Sequence, residues 1–495
     1  MDTAITDLSA TALAAAIRDR AISPVEAVDA ALARIEDRRD LNAMMALCAD
    51  RARAEAQLAE AAVMAGAALG PLHGVPFTVK DLTSTEGVAT TQGCALFAGT
   101  MPAADAVAVA RARAAGAILI GKTTTPEFGH KPFTEGPFFG RTLNPWSAGH
   151  TCGGSSGGAA VAVAAGMGPV ALGSDGGGSI RIPAACCGVV GFKATLGAIP
   201  NLQAPDLFGA NSYVGPMARD VAGTRLLFDA IAGPDRRDPW GQATPLPHRR
   251  LQEGERPRIA LLLRCGNILD PDVEAAVVAT MRQAEALGMA VEPIELDLVS
   301  LEPHFLVLLR SLLLARLGGA AARSPEKLDP TLLATIEAGR SCSAVDLHEA
   351  QFARSACFGR IEEILARFDI IASPTLSAPA LPVGLDPLGR VEIAGRDAGT
   401  IRGAWYPYTF PFNLTGHPAL SLPCGLTPEG LPVGLQLVGR WHEDTYLLEA
   451  AAQLEDELHF PKPLFGTTSG DGPSVTVVPP RAVHDSSAPQ GDIEP

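Results

Sequence analysis

Lysine is scarce in this chain: six residues, Lys80, Lys122, Lys131, Lys193, Lys327 and Lys462, stand against 33 arginines. An arginine-favouring genome accounts for the bias, yet it makes each retained lysine stand out. Charge of either sign is thin, at 19% of 495 residues, below the ~25% of an average soluble domain. What charge there is falls on the acidic side, −15 in all. That argues against non-specific nucleic-acid binding, which rests on basic patches that displace counterions. Paired cysteines are lacking too. The nine present show no C-x-x-C spacing for a metal, and adjacent Cys186 and Cys187 lie in an apolar stretch, as buried thiols do. A disulfide scaffold is excluded, and a reducing cytoplasm is the expected compartment. The opening MDTAITDL has neither a basic segment nor an apolar run after it, so no signal peptide is read. No membrane span is read either. Residues Thr151 to Ser174 are uncharged but Gly- and Ala-rich, and the more apolar segment near Phe305 is interrupted by Arg310 and Arg316.

With 47% apolar residues the chain can bury a large core, which rules out disorder as a whole. Ser23, Pro24 and Glu26 make a capping box ahead of an apolar stripe at Val25, Val28, Leu32 and Ile35. A helix is predicted from about Asp50 to Met64, and Gly74 to Val79 reads as a buried strand ending at Lys80. Ala104 to Ala115 reads as a helix and Ala117 to Ile120 as a short strand. The stretch from Thr124 to Cys152 is irregular and rich in Pro, Gly and Phe, and loops of that length are usually functional. An Ala/Val helix up to Ala165 and a strand near Pro169 to Leu172 follow. Later strands are predicted at Arg258 to Leu263, Asp369 to Ala372 and Leu431 to Val438, with helices between them. Strands and helices alternate, so the fold class is α/β. From residue 466 to 495 Ser, Pro, Gly and Asp dominate, and a flexible tail is expected.

Three short motifs compete for the chemistry. Gly116 to Thr123, GAILIGKT, matches the phosphate-loop pattern letter for letter. A phosphate loop is a turn whose free amides cradle phosphates. Here the four intervening residues read as a strand, whose amides a sheet would consume, so a nucleotide-binding protein remains only as a last alternative. Gly153 to Gly157 fits the G-x-S-x-G elbow, but that motif needs a preceding strand and a downstream Asp and His. A turn-like stretch precedes it instead, and His304, His348, His417 and His442 sit in no motif. The third motif is a pair: GGSSGG at Gly153 to Gly158, and SDGGGSIR at Ser174 to Arg181. Gly/Ser linkers are normally solvated, whereas these adjoin runs, Ala159 to Ala165 and Pro169 to Leu172, that must be buried. Buried glycines let something approach the backbone closely. Successive unobstructed amides at Gly176, Gly177, Gly178 and Ser179 meet the requirement of an oxyanion hole. The serine that ends the run can be both nucleophile and donor. With no His–Asp pair to activate it, Lys80 is the available base, since burial disfavours the charged amine.

At these residues the sequence strongly resembles the amidase signature family, close to bacterial amidases and aryl acylamidases. The resemblance is carried by GVPFTVKDL (Gly74 to Leu82), TTTPEFG (Thr123 to Gly129), NPW at Asn144, and the block from Gly153 to Lys193. GPMARDVA (Gly215 to Ala222) and the stretch from Phe410 to Gly439 extend it. It implies a single domain over 1–465 with a signature core at about 74–222, built as a large mixed β-sheet flanked on both faces by helices. It further implies a Ser–cisSer–Lys triad of Ser179, Ser155 and Lys80, with a cis peptide before Ser155. Gly176, Gly177, Gly178 and Ser179 would form the oxyanion hole, and Ser156, Asp175 and Arg181 would support it. No cofactor and no metal are implied, and a homodimer is within the family's range. Carbamate or ester hydrolysis needs the same nucleophile and oxyanion hole, so it stays open. So does the A subunit of a glutamyl-tRNA amidotransferase, which would work only in a complex.

Aromatics make up only 5% of the chain, yet they gather in two places. Phe128, Phe133, Phe138 and Phe139 share one irregular segment, and Trp405, Tyr406, Tyr408, Phe410 and Phe412 form a second knot. Core packing is the ordinary role of an aromatic. Two clusters in Pro/Gly-rich stretches nonetheless point to an apolar pocket, with Phe128, Phe133, Phe138, Phe139, Trp405 and Tyr406 as candidate substrate contacts. An aryl or fatty amide, an anilide or a carbamate ester would suit it. The expected partner is a small-molecule substrate, with neither nucleic acid nor membrane.

Overall fold

The Lys80 strand lies third from one edge of an eleven-stranded mixed sheet. In order across the sheet the strands are Met44–Leu47, Ile118–Thr123, Pro76–Lys80, Val170–Asp175, Tyr213–Ala218, Val190–Lys193, Ala419–Leu426, Pro432–Val438, Ile370–Pro374, Arg258–Leu261 and Ala290–Pro293. The computed structural model describes residues 4–209, 211–241, 249–458 and 460. The tail expected over 466–495 lies outside the described residues. Fourteen α-helices accompany the strands among the described residues, so the architecture is α/β, a large mixed sheet with helices around it.

Three neighbouring strands, Ile118–Thr123, Pro76–Lys80 and Val170–Asp175, run parallel. Parallel neighbours need crossovers, and the helices Val107–Ala114 and Gly157–Ala164 lie in the two connections. Side chains alternate along a strand. Phe77 and Val79 enter the large core with Val109, Leu172 and Leu227, so Thr78 and Lys80 face the other way. That opposite face is packed by the helix Gly157–Ala164, buried at every residue. Burial all round explains why its sequence is Gly, Ala and Val with no polar stripe.

The strand expected at Ala117 to Ile120 continues to Thr123, which puts Lys122 inside the sheet and fully buried. Residues Ile118 to Thr123 pair on both sides, with Met44–Leu47 and with Pro76–Lys80. Their amides therefore form no phosphate loop. The Lys122 amine instead bonds the Thr83 carbonyl and the hydroxyls of Thr85 and Thr90. Three strands at the centre of the sheet, Val190–Lys193, Tyr213–Ala218 and Ala419–Leu426, have no alternating pattern in the sequence. They are almost entirely buried on both faces and carry Pro216 and Pro423, which weaken any strand signal. By length and composition one stretch, Val299–Arg323, could cross a membrane. It packs along the helices Pro330–Ala338 and Ala344–Leu365, with Phe305, Leu313 and Leu317 buried.

Candidate active site

Lys80 ends its strand and is fully buried. Its Nζ lies 2.7 Å from Ser155 Oγ, 3.0 Å from Ser156 Oγ and 3.3 Å from the Ser174 carbonyl. No carboxylate is among these partners. Burial pushes the amine's pKa down to about 7, against the opposing pull of Asp175. The Ser156 hydroxyl donates to the Ser174 carbonyl at 3.0 Å and accepts from the Ser174 amide at 3.2 Å, so towards Lys80 it is an acceptor. A neutral amine has two N–H groups and one lone pair. Ser156 and the Ser174 carbonyl take the two N–H groups, and the lone pair is left for the Ser155 hydroxyl. The peptide bond between Gly154 and Ser155 is cis, as the resemblance implies.

The second loop is built on Asp175. Its carboxylate accepts from the amides of Gly178 at 2.6 Å and Ile180 at 3.2 Å, and from Arg181 Nε and Nη2 at 2.9 and 3.0 Å. Burial opposes its charge. The Arg181 guanidinium, with hydrogen bonds from Arg181, Asn413 and Gly178, outweighs burial and holds the carboxyl well below the usual range. This corrects one expectation: the Gly178 N–H is taken by Asp175 and does not point into an oxyanion hole. The amides of Gly176, Gly177 and Ser179 make no hydrogen bond among the described residues. The Ser179 carbonyl accepts from the Ser156 amide at 3.0 Å, which ties the two Gly/Ser loops together. The Ser179 hydroxyl, half-buried, makes no hydrogen bond among the described residues.

Three supporting residues, Thr409, Asn413 and Gln436, escape the sequence reading. Arg181 donates to the Thr409 carbonyl at 2.9 Å, Gln436 Oε1 at 2.7 Å and Asn413 Oδ1 at 2.7 Å. Thr409 Oγ1 donates to the Gly177 carbonyl at 2.9 Å, and Asn413 Nδ2 donates to the Asp175 carbonyl and to Oδ1, both at 2.9 Å. A signal was available. Asn413 in FPFNL and Gln436 in VGLQLV are lone polar residues inside apolar runs, and a buried amide must find partners.

Around these loops the aromatics sort into two groups. Phe133 packs on Trp405 at 5.9 Å, and Trp405 on Tyr406 at 6.1 Å between ring centroids. Phe305, a residue the sequence placed only in an apolar helix, meets Phe410 at 5.2 Å and lies against Gly177. A Cβ on Gly177 would come within 2.9 Å of its ring. Gly129, at φ +68°, approaches the other loop, where a Cβ would sit 2.8 Å from Ser155 Oγ. Phe128, just before it, meets Phe97 edge-on at 5.3 Å. Phe138 and Phe139 are elsewhere. They sit at the turn of the hairpin Glu135–Arg141, where Asn42 bonds the Phe139 carbonyl at 2.8 Å, and their described contacts do not include Lys80, Ser155 or Ser179. Among the described residues no cluster of His, Cys, Asp and Glu is placed to hold a metal.

The Amidase family model matches residues 26–448, and the chain belongs to that family of amide-cleaving hydrolases. It is 34% identical over 483 residues to an acylamidase of Rhodococcus erythropolis, covering 90% of this chain and 95% of that protein. It is equally 34% identical over 480 residues to the A subunit of a glutamyl-tRNA(Gln) amidotransferase from a Synechococcus strain, covering 91% and 96%. Among solved structures, a bacterial aryl acylamidase of the amidase signature family superposes with a TM-score of 0.83 at 28% identity, over 91% of this chain and 96% of that one. The peptide amidase of Stenotrophomonas maltophilia superposes with a TM-score of 0.78 at 28% identity, over 93% and 99%.

Proposed function

We propose that this amidase cleaves the C–N bond of hydrophobic or aryl amides through an acyl-enzyme on Ser179, with Ser155 as proton relay and Lys80 as base. The observation that carries the reading is the 2.7 Å contact of the buried Lys80 amine with Ser155 Oγ. Neutral Lys80 accepts the Ser155 proton while Ser155 accepts that of Ser179, and Ser179 Oγ attacks the carbonyl carbon. The carbonyl electron pair moves to oxygen, which the amides of Gly176, Gly177 and Ser179 receive. The proton on Lys80 then passes through Ser155 to the leaving nitrogen, the C–N bond breaks and the amine departs. Water, deprotonated by the same relay, attacks the ester and releases the acid and Ser179. Catalytic hydrogen bonds often close only in the substrate complex, and the link between Ser155 and Ser179 is expected to form there.

Support for apolar and aryl substrates comes from the rings of Phe133, Phe305, Trp405 and Tyr406 around the two loops, and from the acylamidase and aryl acylamidase relatives. Carbamates and esters suit the same nucleophile. The test is a hydrolysis panel of anilides, primary amides and aryl carbamates with Ser179→Ala as control, combined with peptide mapping of a serine-directed inhibitor. An adduct on Ser179 is expected; an adduct on any other residue overturns the assignment. The amidotransferase relatives favour a second reading, in which the chain works only as one component of a complex. Hydrolysis of simple amides by the purified chain alone would count against it. All nine cysteines are free, which is in keeping with a reducing cytoplasm.

A further inference from the structure

The aromatic wall beside the site carries a cation with no ionic partner among the described residues. Arg402 lies on the short helix Ile401–Trp405, and its guanidinium sits over two rings, 4.9 Å from the centre of Phe305 and 5.3 Å from that of Tyr406. It is half-buried, and among the described residues it makes no hydrogen bond and no ion pair. Glu302, whose charge also reaches Tyr406, accepts from the Thr400 hydroxyl at 2.7 Å instead. Two neighbouring cations are paired by contrast: Lys131 with Asp329 at 2.7 Å, and Arg181 with Asp175. Stacking satisfies the faces of a guanidinium but leaves its edge, with five N–H donors, in want of acceptors.

The position of Arg402 relates it to both catalytic loops. The Phe305 ring beneath it lies against Gly177 of the Ser179 loop. Its charge also reaches His130, which follows Gly129, the residue that abuts Ser155 Oγ. The guanidinium thus stacks on a ring that itself rests on the loop bearing Ser179.

Resting on the acyl-enzyme reading above, we propose that Arg402 is a specificity residue that binds a carboxylate carried by the substrate a few bonds from the scissile amide. The favoured substrates are amides with an aromatic or aliphatic body and an anionic end, gripped in the two-pronged manner of guanidinium and carboxylate. In a chain of net charge −15 an anionic substrate is repelled on approach, and Arg402 supplies the local attraction that offsets this. A packing role alone gives a different outcome, since loss of the guanidinium would then affect charged and neutral substrates alike.

The test compares acetanilide with 4-acetamidobenzoate, charged on the amine side, and succinanilate, charged on the acyl side. In the wild-type enzyme one of the two anions is expected to have the lower KM. Arg402→Met, which keeps the apolar stem, should raise that KM roughly 10–100-fold, the worth of a charged hydrogen-bonded contact. Its kcat, and both constants for acetanilide, should stay within about twofold, and Arg402→Lys should recover part of the loss. High salt should weaken binding of the anion in the wild type alone. Calorimetric binding of the same three compounds to Ser179→Ala repeats the comparison without turnover, so a failure of the acyl-enzyme reading shows separately as wild-type turnover without a Ser179 adduct. Equal losses for charged and neutral anilides, or no preference for either anion in kinetics and calorimetry, overturn the proposal.

Discussion

A lysine with three oxygens in reach and no carboxylate partner, withdrawn from solvent, gains little from its positive charge. At a pKa of about 7, set first by burial, half the Lys80 amines are free base near neutrality. Below that pH the base form shrinks tenfold per unit, so kcat/KM is expected to climb with unit slope up to about pH 7 and level above it. A pH–rate profile flat from acid to alkali would remove Lys80 from the role of base. Lys80→Arg, which cannot release its proton, should abolish turnover while the protein still folds. Ser179→Ala should abolish acyl-enzyme formation, whereas Ser155→Ala should slow acylation by roughly 10²–10⁴-fold, the usual contribution of a placed proton carrier; rapid-quench trapping separates the two. The burial of Lys80 was legible in the sequence because it ends an apolar strand, and the family resemblance, not the scarcity of lysine, singled it out. Gly178 was not, because its amide looks like that of Gly176 or Gly177 until the Asp175 carboxylate is placed beneath it.

Elements divide in the same way. The Lys80 strand and its parallel neighbours are readable because apolar runs end at turn residues. The central antiparallel strands are not, since burial on both faces erases the alternation and Pro216 and Pro423 interrupt it. The family resemblance supplied the mixed sheet that local pattern did not. Phe305 shows the limit for side chains: nothing in an apolar helix distinguishes the one ring that rests on the Ser179 loop. That contact makes a prediction about the loop. Gly177→Ala places a methyl within 2.9 Å of the Phe305 ring. The loop should shift and lower kcat on the order of 10²-fold, as small misplacements of reacting groups do. Phe305→Leu in the same chain should restore part of the loss. If the double variant is no better than Gly177→Ala, the strain lies elsewhere than in the ring contact.

At the scale of the molecule, Arg181 joins parts of the chain that are far apart in sequence. It neutralises Asp175 and bonds Thr409, Asn413 and Gln436 from the last third. Arg181→Met leaves a buried carboxylate without its counter-charge, and removal of one member of a buried pair costs about 3–5 kcal/mol. Denaturant unfolding should show that loss at pH 7. The Asp175 carboxyl is held below its usual range, so the stabilisation is present above the ordinary carboxylate pKa of ~3.9 and fades only in stronger acid. The partners that Arg181 needs lie 228, 232 and 255 positions further along the chain. At ~5–20 residues per second of synthesis they emerge roughly 10–50 s after it. Throughout that interval the nascent chain holds Lys80 and both serines but not the frame that sets their loops, so the site is expected to assemble only after Gln436 has emerged.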